Sequence, residues 1–477
     1  MKTITPTPYQ IEENLSGQVL RIIISKAVFE GVIHRDGKVA FEFVSFYFKK
    51  VSIVNDDEIE FPDITLFFVS CFIENVEVEN ITSKNIVINF HRSVIAGKIN
   101  NSVLLGVEIG NCILINSLFL IGVQKVRIAF TKENIYLPKW KEFFSKINGE
   151  GYRYFLEAKQ SYYIYDVQKV DFISNFSQLH RKRININLAL KYSDFIGGGY
   201  AKVKNVSLKS LTIEGNTDGK ISLENCKFNS WYLYDFTPEN NASFYNILPY
   251  SPDMAPSIMS IHQCNLDKAS FDNVNFRDFT RLSLYRSKLS GAIFTSCNFP
   301  GTYSAFEKFM PIENVHYPDK RQESYDKDQY EVLLQLKKSL EGTGNYFEAQ
   351  KLLAVSQDAL KKIKDIPFWD RKILWINKVS NNHGLSIGRP FGWFLLFSIG
   401  SYILYLWTLN RMFNCNPIDY TLIGYYFSFI DLTHRTDFLV DKTQFTSFSL
   451  MLDYLNKVFT GFFIFQFIAA FRKYGKR

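Results

Sequence analysis

The sequence lacks the patterns that mark a metal centre, a disulfide framework or a secreted chain. Its 477 residues include six Cys and seven His, with no CxxC pair and with every His isolated. This spacing argues against a zinc site and against a disulfide scaffold. The first ten residues, MKTITPTPYQ, contain no apolar run, so we expect no secretory signal. No P-loop, GxSxG or HExxH motif occurs, and we predict neither an enzyme nor a cofactor.

Apolar and aromatic residues are abundant, at 47% and 16% of the chain. This content excludes a disordered protein. The net charge of +8 is compatible with nucleic acid or with an anionic membrane surface as partner. Most of that charge lies in two stretches: residues 361–390 hold seven Lys or Arg against two Asp, and 453–477 hold five against one. Because both stretches flank apolar segments, the charge is chiefly a membrane-orientation signal.

Two apolar segments near the C-terminus predict a transmembrane hairpin. Residues 391–409 carry no charge over 19 residues, about the length that crosses a bilayer core, with Trp393 and Trp407 near the ends. The second segment, 448–471, is interrupted by Asp453 and Lys457. Buried core helices are the alternative for both segments. Since the basic residues lie outside the hairpin, we expect both termini, and the large N-terminal part, to be cytosolic.

A five-residue period occupies much of the first three hundred residues. Two of its clearest runs are Leu66, Cys71, Val76, Ile81, Ile86 and Ile99, Leu104, Ile109, Leu114, Phe119. A period of five fits neither a helix nor a simple strand, but it fits a solenoid with four five-residue sides per coil. The alternative is chance matching within a β-sandwich rich in Ile, Val and Phe.

The segments CNLDKASFDNVNF (264–276) and SKLSGAIFTSCNF (287–299) resemble the pentapeptide-repeat family. This resemblance implies a right-handed quadrilateral β-helix over 60–300. The pattern breaks at 124–202 and 237–262, which we interpret either as inserts or as irregular coils. Residues 18–54 alternate and turn at Asp36-Gly37, which predicts an N-terminal β cap over 1–59, with a hairpin as one form of it. Five Cys fall in inward positions, as buried apolar residues of a reduced compartment: Cys71, Cys112, Cys226, Cys264 and Cys297.

A helical connector is predicted over 301–387. Apolar spacing indicates helices over 325–340 and 346–364, the second of them capped by Asn345. Residues 369–379 form an amphipathic segment just before the first apolar segment. Its position suggests a helix along the inner leaflet, and an ordinary packed helix is the alternative. The segment has basic residues on one side and apolar ones on the other: Arg371, Lys372 and Lys378 against Ile373, Leu374 and Trp375.

Residues 388–477 resemble the two-helix pore domain that follows the solenoid in pentapeptide-repeat membrane proteins. Residues 425–430 resemble a channel pore helix, but the following LTHRTDF (432–438) lacks the glycines of a potassium filter. A pore here would be lined by side chains, and a loop of no function is the alternative. The candidates are Thr433, His434, Arg435, Thr436 and Asp437 in the loop, with Asp453, Asn456 and Gln466 in the second segment.

A basic cluster within the longer break is the candidate ligand site of the N-terminal part. Basic groups beside exposed rings can hold phosphates and stack bases. A solvated charged loop is the alternative. The cluster consists of Arg181, Lys182, Arg183, Lys191 and Tyr192.

These features predict an oligomeric, ion-channel-like membrane effector, with a tetramer favoured, gated by a cytosolic β-helix sensor. The chain is similar to channel-type effectors of bacterial antiphage defence, among them that of the Hailong system. That resemblance implies the bacterial inner membrane, a nucleotide or single-stranded DNA ligand, and a partner protein of the same defence system. The alternative is a non-conducting, membrane-anchored β-helix scaffold that binds another protein.

Overall fold

The computed structural model describes residues 18–24, 38–44, 46–55, 63–79, 86–100, 106–130, 159–174, 185–193, 198–251, 255–299, 322–409, 420–441 and 444–475. The chain divides into two compact units, Met1–Tyr317 and Pro318–Arg477. We call them the solenoid unit and the helical unit.

The described part of the solenoid unit consists of short strands. They are β1 (Gln18–Ile24), β2 (Lys38–Val44), β3 (Tyr47–Asn55), β4 (Asp63–Val69), β5 (Phe72–Glu79), β6 (Ile86–His91), β7 (Val94–Asn100), β8 (Gly106–Gly110), β9 (Ile113–Ile121), β10 (Lys125–Phe130), β11 (Lys159–Tyr165), β12 (Lys169–Ser174), β13 (Asn185–Tyr192), β14 (Tyr200–Lys204), β15 (Ser207–Thr217), β16 (Ile221–Pro238), β17 (Ala242–Pro249), β18 (Ile258–His262), β19 (Ala269–Asp272), β20 (Arg281–Tyr285) and β21 (Ile293–Thr295).

These strands stack in two parallel ladders. Along most of the unit each strand pairs with the strand two positions later, and the long strand β16 takes part in both ladders. The register places the same type of residue on neighbouring strands: Phe244 pairs with Phe271, and Phe271 pairs with Phe294. The result is a parallel β-solenoid of about eight turns, followed by helices, as the repeat predicted.

The core of the solenoid is a set of stacked columns. Within a strand, alternate side chains point inward, as the burial of β6 and β12 shows. Rings of successive coils then lie one above another: the centroids of Phe271 and Phe294 are 4.9 Å apart, and those of Phe276 and Phe299 are 5.2 Å apart. Because each coil places its ring over the next, the apolar interior is continuous through the described coils.

Each ladder turns at a residue with positive φ. Asn205, Asn225, Asn246 and Asn273 occupy this position on successive coils, with φ between 53° and 55°. Asn tolerates the left-handed conformation better than most residues. Their side chains also form a ladder, in which each amide donates to the Oδ1 of the preceding Asn at 2.7–3.2 Å. These Asn residues therefore both permit the turn and connect neighbouring coils.

The cysteines follow these turns directly and point inward, as predicted. Cys71, Cys112, Cys226 and Cys264 are buried, and Cys297 is half-buried. Burial raises the pKa of the Cys226 and Cys264 thiols to about 12. Such thiols stay protonated at neutral pH, and they serve as small apolar residues.

One expectation about the solenoid needs correction. The strands predicted near the N-terminus are present, but the hairpin is wrong: β1 pairs in parallel with β3, and β2 with β4, so this region belongs to the same ladders. Both breaks in the repeat contain ladder strands, so the solenoid continues through them. Val126 pairs with Val170, and the residues between them interrupt the five-residue count. Because 131–158 lie outside the described residues, an insert and an irregular coil both stay predictions for that segment.

The described helices of the helical unit are α1 (Gln322–Gly342), α2 (Tyr346–Leu360), α3 (Phe368–Asn381), α4 (Gly388–Thr408), α5 (Thr421–Ile430) and α6 (Ser447–Gly475). The connector helices are confirmed, and the Oδ1 of Asn345 accepts the Glu348 N–H at the start of α2. α4 and α6 run antiparallel: ring contacts join Phe391 to Phe467 and Phe397 to Phe459.

Candidate functional site

Two helices of the helical unit are long and apolar enough to cross a membrane. They are α4 and the 447–471 part of α6, and only 28% of each apolar window is buried within the chain. Their exposed faces are made of large apolar side chains, among them Leu396, Ile403, Val458, Phe465 and Ile468. Exposed apolar faces of this kind mark contact with a membrane or with another protein surface.

The short helix α5 lies between these two long helices. The hydroxyl of Tyr402 donates to the Leu422 carbonyl at 2.6 Å, and the hydroxyls of Ser398 and Tyr426 are 2.8 Å apart. Phe429, at the end of α5, is fully buried beside Tyr402. Ser398 is ten residues inside α4, about 15 Å along its axis. α5 therefore packs against the middle of α4 rather than beyond its end.

A polar stripe follows the inner face of α6. Its members are spaced three or four residues apart, with one further member six residues on, and each is buried. Apolar side chains cover the opposite, exposed face. The stripe consists of Ser449, Asp453, Asn456, Thr460 and Gln466.

His434 and Asp453 form the centre of the site. The Nε2 of His434 is 2.7 Å from Asp453 Oδ1, and the two side chains are only 4% and 2% exposed. Lys457 adds a second contact to each residue: its Nζ donates to the His434 carbonyl at 3.0 Å and lies 3.5 Å from Asp453 Oδ2. These three residues fasten the loop after α5 to α6.

The end of α5 is also held by α6. The amide of Asn456 donates to the Phe429 carbonyl at 2.7 Å, which satisfies one of the carbonyls that a helix end leaves without a partner. Asn456 is nine residues inside α6, about 13 Å from its first residue. The loop after α5 thus meets α6 well inside the segment that is long enough to span.

Gln466 makes a separate contact further along α6. It accepts a hydrogen bond from the Asn381 amide, and its own amide donates to Asn377 Oδ1 at 3.4 Å. Both partners lie on α3, so this residue joins the connector to α6. The structure therefore places Gln466 apart from His434, Asp453 and Asn456, although one site was expected to contain all four.

The remaining loop candidates differ in exposure. Arg435 is 83% exposed and pairs with Asp437, with its Nε 3.3 Å from the carboxylate. Thr433 is exposed and donates to Asp431, which also ends α5. Thr436 is half-buried. Of the predicted pore side chains, Thr433 and Arg435 are thus open to solvent, whereas the α6 residues face the interior of the chain.

The basic cluster of the solenoid unit is only partly described. Arg181, Lys182 and Arg183 lie outside the described residues. Lys191 forms an ion pair of 2.6 Å with Glu214, which raises the Lys191 pKa. Tyr192 is buried, at 6% exposure, so its ring is not available to stack on a base. The expectation for Tyr192 as a ligand contact is therefore wrong, because β13 alternates and places it in the core.

Several residues that complete the site were not foreseen from the sequence. Asn377 and Asn381 looked like ordinary polar residues of the connector, and Ser398 and Tyr402 like parts of an apolar span. A signal existed in each case, since polar groups within apolar segments require partners. The sequence alone does not identify the hydrogen-bond partners of these residues.

The fold and site define a class: a parallel β-solenoid joined to a helical unit with two helices that could cross a membrane and a short helix between them. Comparisons with protein-family models, with curated proteins and with solved structures find no match to this chain.

Proposed function

We propose that this protein is an oligomeric, ion-channel-like membrane protein whose solenoid unit acts as a cytosolic sensor. The observation that carries the proposal is the contact of Asn456 with the last turn of α5, about 13 Å inside α6. It supports a re-entrant arrangement, in which a short helix enters the bilayer and the chain returns without crossing.

The apolar interior of a bilayer restricts where such a re-entrant segment can lie. Irregular backbone at membrane depth is tolerated only where it is buried in protein or lines a water-filled cavity. We propose that residues 431–441 meet both conditions. One side is fastened to α6 through His434 and Asp453, and the other side exposes Thr433 and Arg435. We infer that the exposed side of the loop lines the pore.

The burial of the polar stripe changes the roles assigned to its residues. Asp453 and Asn456 contact the loop within the chain, so we propose that they position the pore loop and do not line the pore. Asn456 Oδ1 is buried and accepts no hydrogen bond from any described residue, and Asp453 Oδ2 faces the Lys457 ammonium at 3.5 Å without a hydrogen bond. Water molecules satisfy groups of this kind, which supports a partly hydrated interior.

Several copies are needed to enclose a pore, because one hairpin cannot. Ile423 and Phe427 on α5 are more than 60% exposed, in addition to the exposed faces of α4 and α6. A short apolar helix that remains uncovered in one chain supports packing against neighbouring copies. A tetramer, the bacterial inner membrane and a role in antiphage defence rest on the resemblance and form part of this proposal.

The test is ion flux through liposomes that contain the full chain. We expect the wild type to conduct, and the variant His434→Ala to change conduction because its loop is released from α6. Val458→Ala, on the exposed face of α6, is the matched control and should conduct like the wild type. A protein that forms tetramers in detergent yet passes no ions would contradict the proposal.

The sensor ligand is a separate part of the proposal. We propose a nucleotide or single-stranded DNA bound through Arg181 and Arg183, with a further protein of the same defence system as partner. The double variant Arg181→Glu/Arg183→Glu should abolish a salt-sensitive gel shift with an oligonucleotide. If the wild type gives no shift at low salt, this ligand class is rejected.

A non-conducting scaffold is the second candidate function. The favouring observation is that His434, Asn456 and Gln466 all have hydrogen-bond partners within one chain. A hairpin whose polar side chains bond to one another and to the backbone of the same chain can serve as an anchor without any aqueous path. A monomer in detergent, combined with silent liposomes, would favour this candidate.

A further inference from the structure

We infer that α3 is a docking surface for an anionic lipid leaflet and lies in the headgroup region beside the hairpin. This inference rests on the proposed membrane embedding of α4 and α6, but not on conduction. The occupant is a lipid surface with negatively charged headgroups.

The exposed face of α3 is unusually apolar. Trp369 is 74% exposed, and four other large side chains of the same helix are at least 40% exposed. At 100° per residue these five occupy a continuous arc of the helix surface. The face consists of Phe368, Trp369, Ile373, Trp375 and Ile376. Aromatic residues of this kind are enriched where protein meets the membrane interface.

The opposite side of α3 is fixed to the helical unit. Arg371 donates to the carbonyls of Ile363 and Lys364, at 3.0 and 2.6 Å, and Lys378 pairs with Asp358 at 2.9 Å. These contacts hold the helix so that its apolar face stays outward.

The depth of α3 follows from its neighbours. Asn381 is bonded to Gln466, near the C-terminal end of the apolar part of α6, and α4 begins seven residues later at Gly388. Because α4 and α6 are antiparallel, the start of α4 and the end of α6 lie on the same side of a bilayer. α3 is therefore placed where the hairpin leaves the apolar layer.

The basic residues in and before α3 indicate which kind of lipid this surface binds. Residues 361–378 hold six Lys or Arg against two Asp. Lys362 and Lys372 are exposed, and Lys372 lies over the ring of Phe368 within the apolar face. Basic side chains beside an apolar face favour leaflets with anionic headgroups.

The experiment measures the depth of spin labels on the full chain in vesicles. The background carries Cys297→Ser and Cys415→Ser, so that only the added cysteine reacts. Ile376→Cys tests the apolar face, and Asp370→Cys, about 120° away on the same helix, is the matched control. Vesicles contain phosphatidylcholine alone, or with phosphatidylglycerol at about a third of the lipid.

We expect the Ile376→Cys label to collide with oxygen, which dissolves in lipid, and to lose collisions with an aqueous nickel complex. Asp370→Cys should show the reverse. The loss of nickel collisions at the Ile376→Cys label should be larger in vesicles with phosphatidylglycerol. The double variant Lys362→Glu/Lys372→Glu should remove this dependence on the lipid. The matched double variant Lys327→Glu/Lys338→Glu, on α1, should leave it unchanged.

Three results would overturn the inference. An Ile376→Cys label that is open to the nickel complex in both vesicles shows a solvated face. A label shielded from both reagents shows that another protein segment covers α3. A label at Ile464→Cys, on the exposed face of α6, reports the embedding itself: if nickel reaches it, the membrane proposal fails together with this one. Silent liposomes with a lipid-embedded Ile376→Cys label would reject conduction alone.

Discussion

The core of the solenoid and the inner face of α6 differ in the kind of residue that they bury. The core of the solenoid is formed by apolar columns, with buried polar side chains such as Ser93 and His262 among them, whereas α6 buries Asp453, Asn456 and Gln466 and exposes Val458 and Phe465. The first pattern is that of a protein in water. The second places polar groups inside and apolar groups outside, as a helix in lipid requires.

The difference also lies in how backbone groups are satisfied. In the solenoid each coil bonds to the next through ladder strands, so side chains are free to pack. In the helical unit the end of α5 requires a side chain, Asn456, to satisfy its carbonyl. Substitutions should therefore be most costly at apolar positions in one unit and at polar positions in the other.

The largest expected effect is at a stacked ring of the solenoid. Phe271→Ala should destabilise its coils by about 3–5 kcal/mol, because it removes contacts to both neighbouring coils. Hydrogen exchange of peptides from β17, β19 and β21, followed with rising urea, measures the change. Ser270→Ala, the outward neighbour, is the control. Equal exchange in the two variants would show that the columns do not stabilise the unit.

A pH effect of up to about 3 kcal/mol is expected from His262. Burial lowers its pKa from 6.5 to about 4, so between these values the unfolded chain binds a proton that the folded chain does not. This contribution to stability is complete above about pH 6.5 and is lost as the pH falls towards 4. Urea midpoints of wild type and His262→Gln at pH 7 and 4.5 test this. If the urea midpoints of both proteins fall equally from pH 7 to pH 4.5, His262 is not the cause of the loss of stability.

In the helical unit, a polar-to-apolar change should be harmful. Asp453→Leu leaves the buried Nε2 of His434 without its partner, at a cost of about 1–3 kcal/mol, and should release residues 431–441. Hydrogen exchange of that loop in detergent is the measurement. Tyr454→Leu, on the exposed face, should have little effect. Unchanged loop exchange in Asp453→Leu would remove the contrast between the two units.

The smallest effect is expected at a corner of the solenoid. Asn246→Ala removes two ladder hydrogen bonds and places Ala in the left-handed region, at a cost of about 1–2 kcal/mol. Asn246→Gly loses the same bonds but tolerates the conformation, so it should be the milder change. Exchange of peptides around β17 measures both. If Asn246→Ala destabilises the coil less than Asn246→Gly does, tolerance of the left-handed conformation is not what Asn246 contributes.

Much of the fold was readable from periodicity. The spacing of Leu66, Cys71 and Val76 predicted coils, and the uncharged segment after Pro390 predicted a long helix close to its observed start at Gly388. The five-residue count failed between Val126 and Val170, where an insert and an irregular coil were the alternatives. Tyr192 was misjudged because its neighbours in sequence are charged, although strand alternation buries it.

The sequence by itself determined the repeating coils, the inward cysteines and the two apolar helices, because each follows from local spacing and composition. Only the tertiary structure decided which polar groups meet. His434 and Asp453 are 19 residues apart, and Asn381 and Gln466 are 85 apart. Such pairs depend on how helices pack, since a buried polar group takes whichever partner the fold brings within hydrogen-bond distance.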